Sequence, residues 1–176
     1  MNKYIGAVLL FSLVSCQNAE QNTVSTNDSA SVAQLDNSPP VRLEDENIQA
    51  IYTAYIQLKD DLVEGKHEEA KKSSAQLAEK LKAQKGCENT ALVAGKIAAA
   101  NALPEQRKEF TFLSADVIPL IKHASLKEGV VYVQRCPMAN EGDGGEWLAS
   151  EKNIRNPYYG DEMMECGSVI EEIKGK

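Results

Sequence analysis

The sequence predicts a mostly α fold: a four-helix antiparallel bundle with a small β-rich C-terminal extension of two paired strands. Two observations carry this. Between about residues 44 and 124, apolar residues recur at three- and four-residue steps in four blocks, joined by short connections marked by Gly or Pro. After Gly129 the period changes. Val130 to Gln134 is rich in β-branched and aromatic residues, and a second such run, Ser168 to Ile173, lies close to the C-terminus.

In chain order, the first stretch stands apart from the fold. Lys3 and the apolar run Ile5 to Val14 have the form of an export signal, too short to span a bilayer. The run ends in Leu13-Val14-Ser15-Cys16, which resembles a bacterial lipobox. That resemblance implies cleavage before Cys16 and diacylation of its thiol, so that the lipid bilayer becomes a partner of the mature chain. Residues 1–15 are expected to be a lipoprotein signal peptide. Residues 16–43 are expected to be a flexible tether, because Asn, Gln, Ser and Thr dominate and too few apolar residues remain to build a core. Pro39-Pro40 stiffens it briefly. Gln17 stands where an Asp would retain some lipoproteins at the inner membrane, which favours the outer membrane, with the domain facing the periplasm.

The folded domain is expected over residues 44–176. Ile48, Ile51, Tyr52, Tyr55, Leu58 and Leu62 make one face of a first helix, with acidic residues at its start to suit the dipole and Gly65 at its end. A second helix runs from about Lys66 to Lys85, with Ala70, Leu77, Ala78 and Leu81 inward. A third, about Asn89 to Ala102, carries Leu92, Val93, Ile97 and several alanines that permit close packing. Pro104 suits the first turn of a fourth helix, which reaches about Ala124 with Phe110, Leu113, Val117, Leu120 and Ile121 on its apolar face. Pro119 should kink that helix or end it early. Beyond the first strand, Glu141 to Gly145 reads as a loop, Trp147-Leu148 as a return to the core, and Asn156 to Asp161 as turn chemistry. Glu162 to Cys166 reads as one helical turn stopped by Gly167.

Charge and cysteine usage narrow the function. Removing residues 1–15 takes away Lys3 alone and leaves 18 basic against 26 acidic residues, a net charge of −8. An acidic chain without basic runs argues against nucleic acid as a partner. Of the four cysteines, lipid takes Cys16 on this reading. Cys87, Cys136 and Cys166 remain, an odd number for an oxidising compartment. Catalysis finds little support, and the chain is read as a non-enzyme. It has two His, no serine elbow and no Gly-rich phosphate loop after a strand.

The most specific residues lie late in the chain. They are Tyr132 to Ala139, Trp147-Leu148, Ile154 to Asp161, Met163 and Cys166-Gly167. With Ile51-Tyr52, Leu58-Lys59-Asp60, Gln106-Arg107, Phe110 and Leu113-Ser114 upstream, they resemble the domain-of-unknown-function 3347 family over about residues 45–173. The resemblance implies a Gram-negative envelope protein. Some members are lipoproteins, and others carry this domain on periplasmic adaptor subunits of heavy-metal efflux pumps. Metal handling, with efflux-pump components as partners, is thus implied by association. Met164 departs from the pattern, where an aliphatic residue follows a single Met, so Met163 is the better candidate ligand.

The residues themselves allow two chemistries. Cys136 and Met138 can share one side of an extended loop stiffened by Pro137, and Met163 and Cys166 can share one face of a helical turn. Two thiolates and two thioethers would suit copper(I) as a soft ligand set. His123 could add a nitrogen donor. The competing chemistry is a Cys136–Cys166 disulfide, worth about 3–4 kcal/mol for a loop of roughly this length. The function expected first is a lipid-anchored envelope protein that binds a soft metal, for buffering or transfer to efflux components. The alternative is a non-metal interaction module stapled by that disulfide, with Asn156 to Asp161 as a contact loop. Met164 is read as core packing, Trp147 as a core anchor, Cys87 as a free or buried thiol, and His67 as a solvated residue at a helix start.

Overall fold

The structure, a computed structural model, describes residues 40–175. The expected signal peptide, Cys16 and the tether up to residue 39 lie outside the described residues. The first described strand lies slightly before the expected start at Glu44. Strand β1 (Arg42–Leu43) pairs antiparallel with β2 (Leu126–Glu128). Leu43 is buried, and its N–H donates to Gln49 Oε1 at 2.7 Å.

Four helices follow, close to the predicted spans: α1 (Glu46–Val63), α2 (His67–Ala83), α3 (Glu88–Ala99) and α4 (Leu103–His123). Asp45 caps α1, its Oδ1 accepting from the Asn47 and Ile48 amides at 2.8 and 3.1 Å. The predicted α1 stripe is buried, but Lys59 lies within it and is also fully buried. In α3 the inward residues are Ala91, Ala94 and Ile97, whereas Leu92 is 65% exposed. The small residues allow Ser74 of α2 to reach the Ala94 carbonyl at 2.7 Å. Pro119 does not end α4, which continues to His123. It sits in the last turns, where the bond it removes is one of few remaining, and His123 Nδ1 lies 2.7 Å from its carbonyl oxygen. Each helix packs on the next in sequence. Among the described residues no helix is long and apolar enough to cross a membrane.

The β region is larger than two paired strands. The predicted pairing exists: β3 (Val130–Cys136) runs antiparallel to β5 (Ser168–Lys174), from Val130 opposite Lys174 to Arg135 opposite Ser168, with an irregularity after Val133. A further strand, β4 (Gly145–Ala149), pairs with the other edge of β3, so the order is β4-β3-β5. With β1 and β2 the strands form two sheets. The sequence hid β4 because Gly145 opens it and Trp147, Leu148 and Ala149 are all buried, which removes the period-two alternation.

Helices and sheet share one core. Tyr55 of α1 stacks on Phe110 of α4 at 5.3 Å between ring centroids, Phe110 meets Tyr158 at 5.9 Å, and Tyr158 meets Trp147 edge-on at 6.0 Å. The Tyr55 hydroxyl lies 2.6 Å from Ser114 Oγ and accepts from the Leu148 amide of β4 at 3.2 Å. That bond fixes the three-stranded sheet against the helices, and with it the end of β3 where Cys136 sits.

Candidate functional site

Cys136 is the last residue of β3, opposite Gly145 of β4, and is fully buried. Cys166 lies two residues before β5, half-buried. Pairing of β3 with β5 therefore brings two residues 30 positions apart to the same end of the sheet, and their sulfur atoms lie 2.7 Å from each other. The neighbouring Cys136 sulfur, followed by burial, raises the Cys166 thiol above its ordinary pKa, against the opposing influence of the Met138 backbone amide.

The helical turn expected at Glu162 to Cys166 lies earlier, at Gly160–Glu162. Met138 follows the buried Cys136 by two positions and is 56% exposed. Met163 closes the short helical turn Gly160–Glu162, which ends before Cys166. A turn bond from the Cys166 amide to the Met163 carbonyl, 3.1 Å, holds the two together in place of a shared helical face. Met164, expected in the core, is half-buried, and among the described residues none of the three methionines belongs to the packed core cluster.

The Asn156 to Asp161 segment is the frame of this site. Asn156, Pro157, Tyr158 and Gly160 are buried, which leaves little of the segment to act as a contact loop. Asn156 takes part in a hydrogen bond through every polar group it has. Its amide donates to the Met164 carbonyl at 2.9 Å, and Nδ2 donates to the Cys166 carbonyl at 3.0 Å. Oδ1 accepts from the Tyr158 amide at 2.9 Å, and its own carbonyl accepts from the Gly160 amide at 2.9 Å. Tyr159 holds the other side: its hydroxyl donates to the Met138 carbonyl at 2.6 Å. One turn thus pins the backbone of both sulfur-bearing segments. Gly167 completes the fit with φ +144°, and a Cβ there would meet the Arg135 carbonyl oxygen at 2.9 Å and the Trp147 ring at 3.1 Å.

The remaining candidates lie elsewhere. His123 faces a cavity with Glu44, Asp45, Ile48, Leu120, Ala124 and Ser125, none of which belongs to the sulfur cluster. His67 is not simply solvated, because its Nδ1 lies 2.9 Å from Oε1 of the buried Gln106. Cys87 is buried ahead of α3, and burial raises its thiol pKa, with Glu88 and Asp116 adding to the effect. Trp147 is a fully buried anchor. Among the described residues no group of three or more His, Cys, Asp or Glu side chains converges.

A second polar cluster was missed at the sequence level. Lys59, fully buried on α1, bonds Glu151 Oε1 at 2.6 Å and Asp60 Oδ1 at 2.7 Å, and Arg155 reaches Asp60 at 3.3 Å. Lys59 lies four residues after Tyr55 and three before Leu62, within the apolar stripe. That spacing was the available signal.

Comparison with known proteins agrees with the resemblance. Residues 51–129 match the family model described as Protein of unknown function (DUF3347), so the helical part of the chain falls in the family that the sequence resembles. The matched residues end just before β3, and Cys136 and Cys166 lie beyond them. No curated protein and no solved structure matches the chain.

Proposed function

We propose that this is a lipid-anchored envelope protein, acylated at Cys16, that binds one soft metal ion, copper(I), through Cys136 and Cys166. Met138 and Met163 serve as thioether donors, and the ion is buffered or passed to components of an efflux pump. The observation that supports this most is the convergence of two sequence-distant thiols, 2.7 Å apart, each with a methionine two or three positions away in sequence that does not serve the core. Soft donors of this kind select copper(I) over hard cations. The residue run before Cys16 supports the anchor, and Gln17 just after it supports the outer-membrane location. The efflux partner rests on what family resemblance implies. The antiparallel bundle belongs to the same reading, supported by short connections between helices that pack in sequence order. No enzymatic activity is assigned. To test the metal reading, the reduced full chain in detergent is loaded with copper(I) against a chromophoric chelator. Competition no stronger than that of the Cys136→Ser/Cys166→Ser double variant would refute it.

One observation favours the second reading, an interaction module stapled by a Cys136–Cys166 disulfide. Two thiolates on a single ion with metal–sulfur bonds of about 2.3 Å stand about 3.8 Å apart in a tetrahedral site. The sulfur atoms here are 2.7 Å apart. Metal binding therefore needs the thiols to separate, while a disulfide needs them to approach. Non-reducing intact mass of protein extracted from the envelope, with and without alkylation, separates the two. A stoichiometric bond without copper supports the module.

A further inference from the structure

We propose that Cys136 and Cys166 form a dithiol–disulfide couple entered through Cys166, and that its oxidised form releases the soft metal. The couple stands on geometry alone, whereas the release rests on the metal reading above. Three observations carry it.

The first is asymmetry. Cys136 is fully buried at the end of β3, paired with Gly145 of β4, whereas Cys166 is half-buried on the turn before β5. Only Cys166 offers its sulfur to a reagent in solution. The Met138 backbone N–H faces that sulfur.

The second is that both backbones are held in place. Cys136 is fixed by its register opposite Gly145, and Cys166 by the Asn156 bond to its carbonyl. The partner thiol is therefore already within reach once Cys166 has reacted. This is the arrangement of an attacking thiol with a buried resolving thiol, in which the second step is intramolecular.

The third is incompatibility. A bonded pair has an S–S distance of about 2.05 Å and no thiolate left to donate, so the two states exclude each other.

The co-reactant is a small-molecule disulfide. Cys166, as thiolate, attacks one of its sulfur atoms. The S–S bond breaks, one external thiolate leaves, and a mixed disulfide remains on Cys166. Cys136 then loses its proton and attacks Cys166 Sγ, the internal S–S bond forms, and the second external thiolate leaves. The protein loses two electrons and two protons, and the external disulfide gains both to become two thiols. The reverse sequence, driven by a small thiol, restores the metal-binding form.

The test uses the full chain in detergent. Reduced protein is pulsed with iodoacetamide, and labelled cysteines are located by peptide mass. Labelling of Cys166 at least tenfold faster than Cys136 is expected, and equal rates or the reverse order would overturn the entry through Cys166. This comparison is made on the wild-type chain, so it does not depend on a variant folding. Next, equilibration in oxidised glutathione should yield a Cys136–Cys166 disulfide without stable adducts, and failure to form it overturns the couple. Last, copper(I) is offered to both forms against the same chelator, with at least tenfold weaker retention expected for the oxidised form. Equal retention by the two forms overturns the release. Retention by neither form refutes the metal reading and the release together, and leaves the couple as a redox activity by itself.

Discussion

Asn156, fully buried, donates from Nδ2 to the carbonyl of the half-buried Cys166 across 3.0 Å. The same side chain accepts from the Tyr158 amide, so one amide group sets both the turn and the strand entry that carries the second thiol.

Replacing Asn156 with Leu keeps the heavy-atom count and branching and removes both side-chain bonds. It strands the buried Tyr158 N–H, costing about 1–3 kcal/mol, and the part-buried Cys166 carbonyl at a lower cost. Reduced Asn156→Leu is expected to lose about 2–4 kcal/mol in urea unfolding, and its Cys136–Cys166 disulfide should form several-fold more slowly in oxidised glutathione. An unchanged midpoint would show that the bonds are not needed to hold the site.

Lys59 and Glu151 bind α1 to the segment after β4. With Lys59 fully buried and Glu151 17% exposed, removal of one partner leaves the other poorly solvated. Lys59→Met and Glu151→Gln are each expected to destabilise by about 3 kcal/mol, and the double variant by clearly less than their sum. A double-mutant cycle measured by chemical denaturation checks this, and strict additivity would count against coupling. A buried pair can be no more stabilising than an apolar replacement, so the informative quantity is the coupling.

The same pair predicts behaviour in acid. Burial, the largest single influence, pushes the Glu151 carboxyl up, but the Lys59 charge, its hydrogen bond and the Ser150 hydroxyl outweigh it and bring the group below its ordinary 4.5. A carboxyl depressed in the folded state adds stability that is fully present above the unfolded value and is lost as pH falls through the folded one. Urea midpoints should therefore fall as pH drops from about 5 to about 3. The fall should be shallower in Glu151→Gln. Equal slopes in the two proteins would assign the acid limb to other carboxylates.

Much of this was legible beforehand, for identifiable reasons. The four helices declare themselves because Ile51, Tyr55, Leu58 and Leu62, and later Phe110, Leu113 and Val117, repeat at helical spacing against a single core. The pairing of β3 with β5 follows from β-branched residues at both ends of the motif. Strand β4 was not legible, because a strand buried on both faces loses its alternation and Gly145 lowers its propensity. The convergence of Cys136 and Cys166 was anticipated from the strand pairing, but the part played by Asn156 was not. Its side chain is satisfied by backbone groups of Cys166 and Tyr158, and such partners leave no mark in residue types. The exposure of Met138 likewise depends on how the chain leaves β3, which spacing alone does not determine.

Two glycines give opposite expectations for the same substitution. A Cβ at Gly145 would lie 2.5 and 2.6 Å from the Tyr158 ring and 3.0 Å from the Ala139 methyl. Tyr158 cannot simply retreat, because its hydroxyl donates to the Glu146 carbonyl at 2.8 Å and its ring is wedged between Phe110 and Trp147. Gly145→Ala should cost about 1–3 kcal/mol by overpacking, and should disturb the strand register that holds Cys136. Gly95 lies inside α3 with nothing within 4 Å of a Cβ built there. Gly95→Ala should stabilise by about 0.5–1 kcal/mol, because alanine loses less backbone freedom on entering a helix. Thermal unfolding of both variants against the parent reads the two signs directly. A neutral Gly145→Ala would mean that β4 yields without loss, and the Cys136 side of the site would then be less rigid than its packing implies.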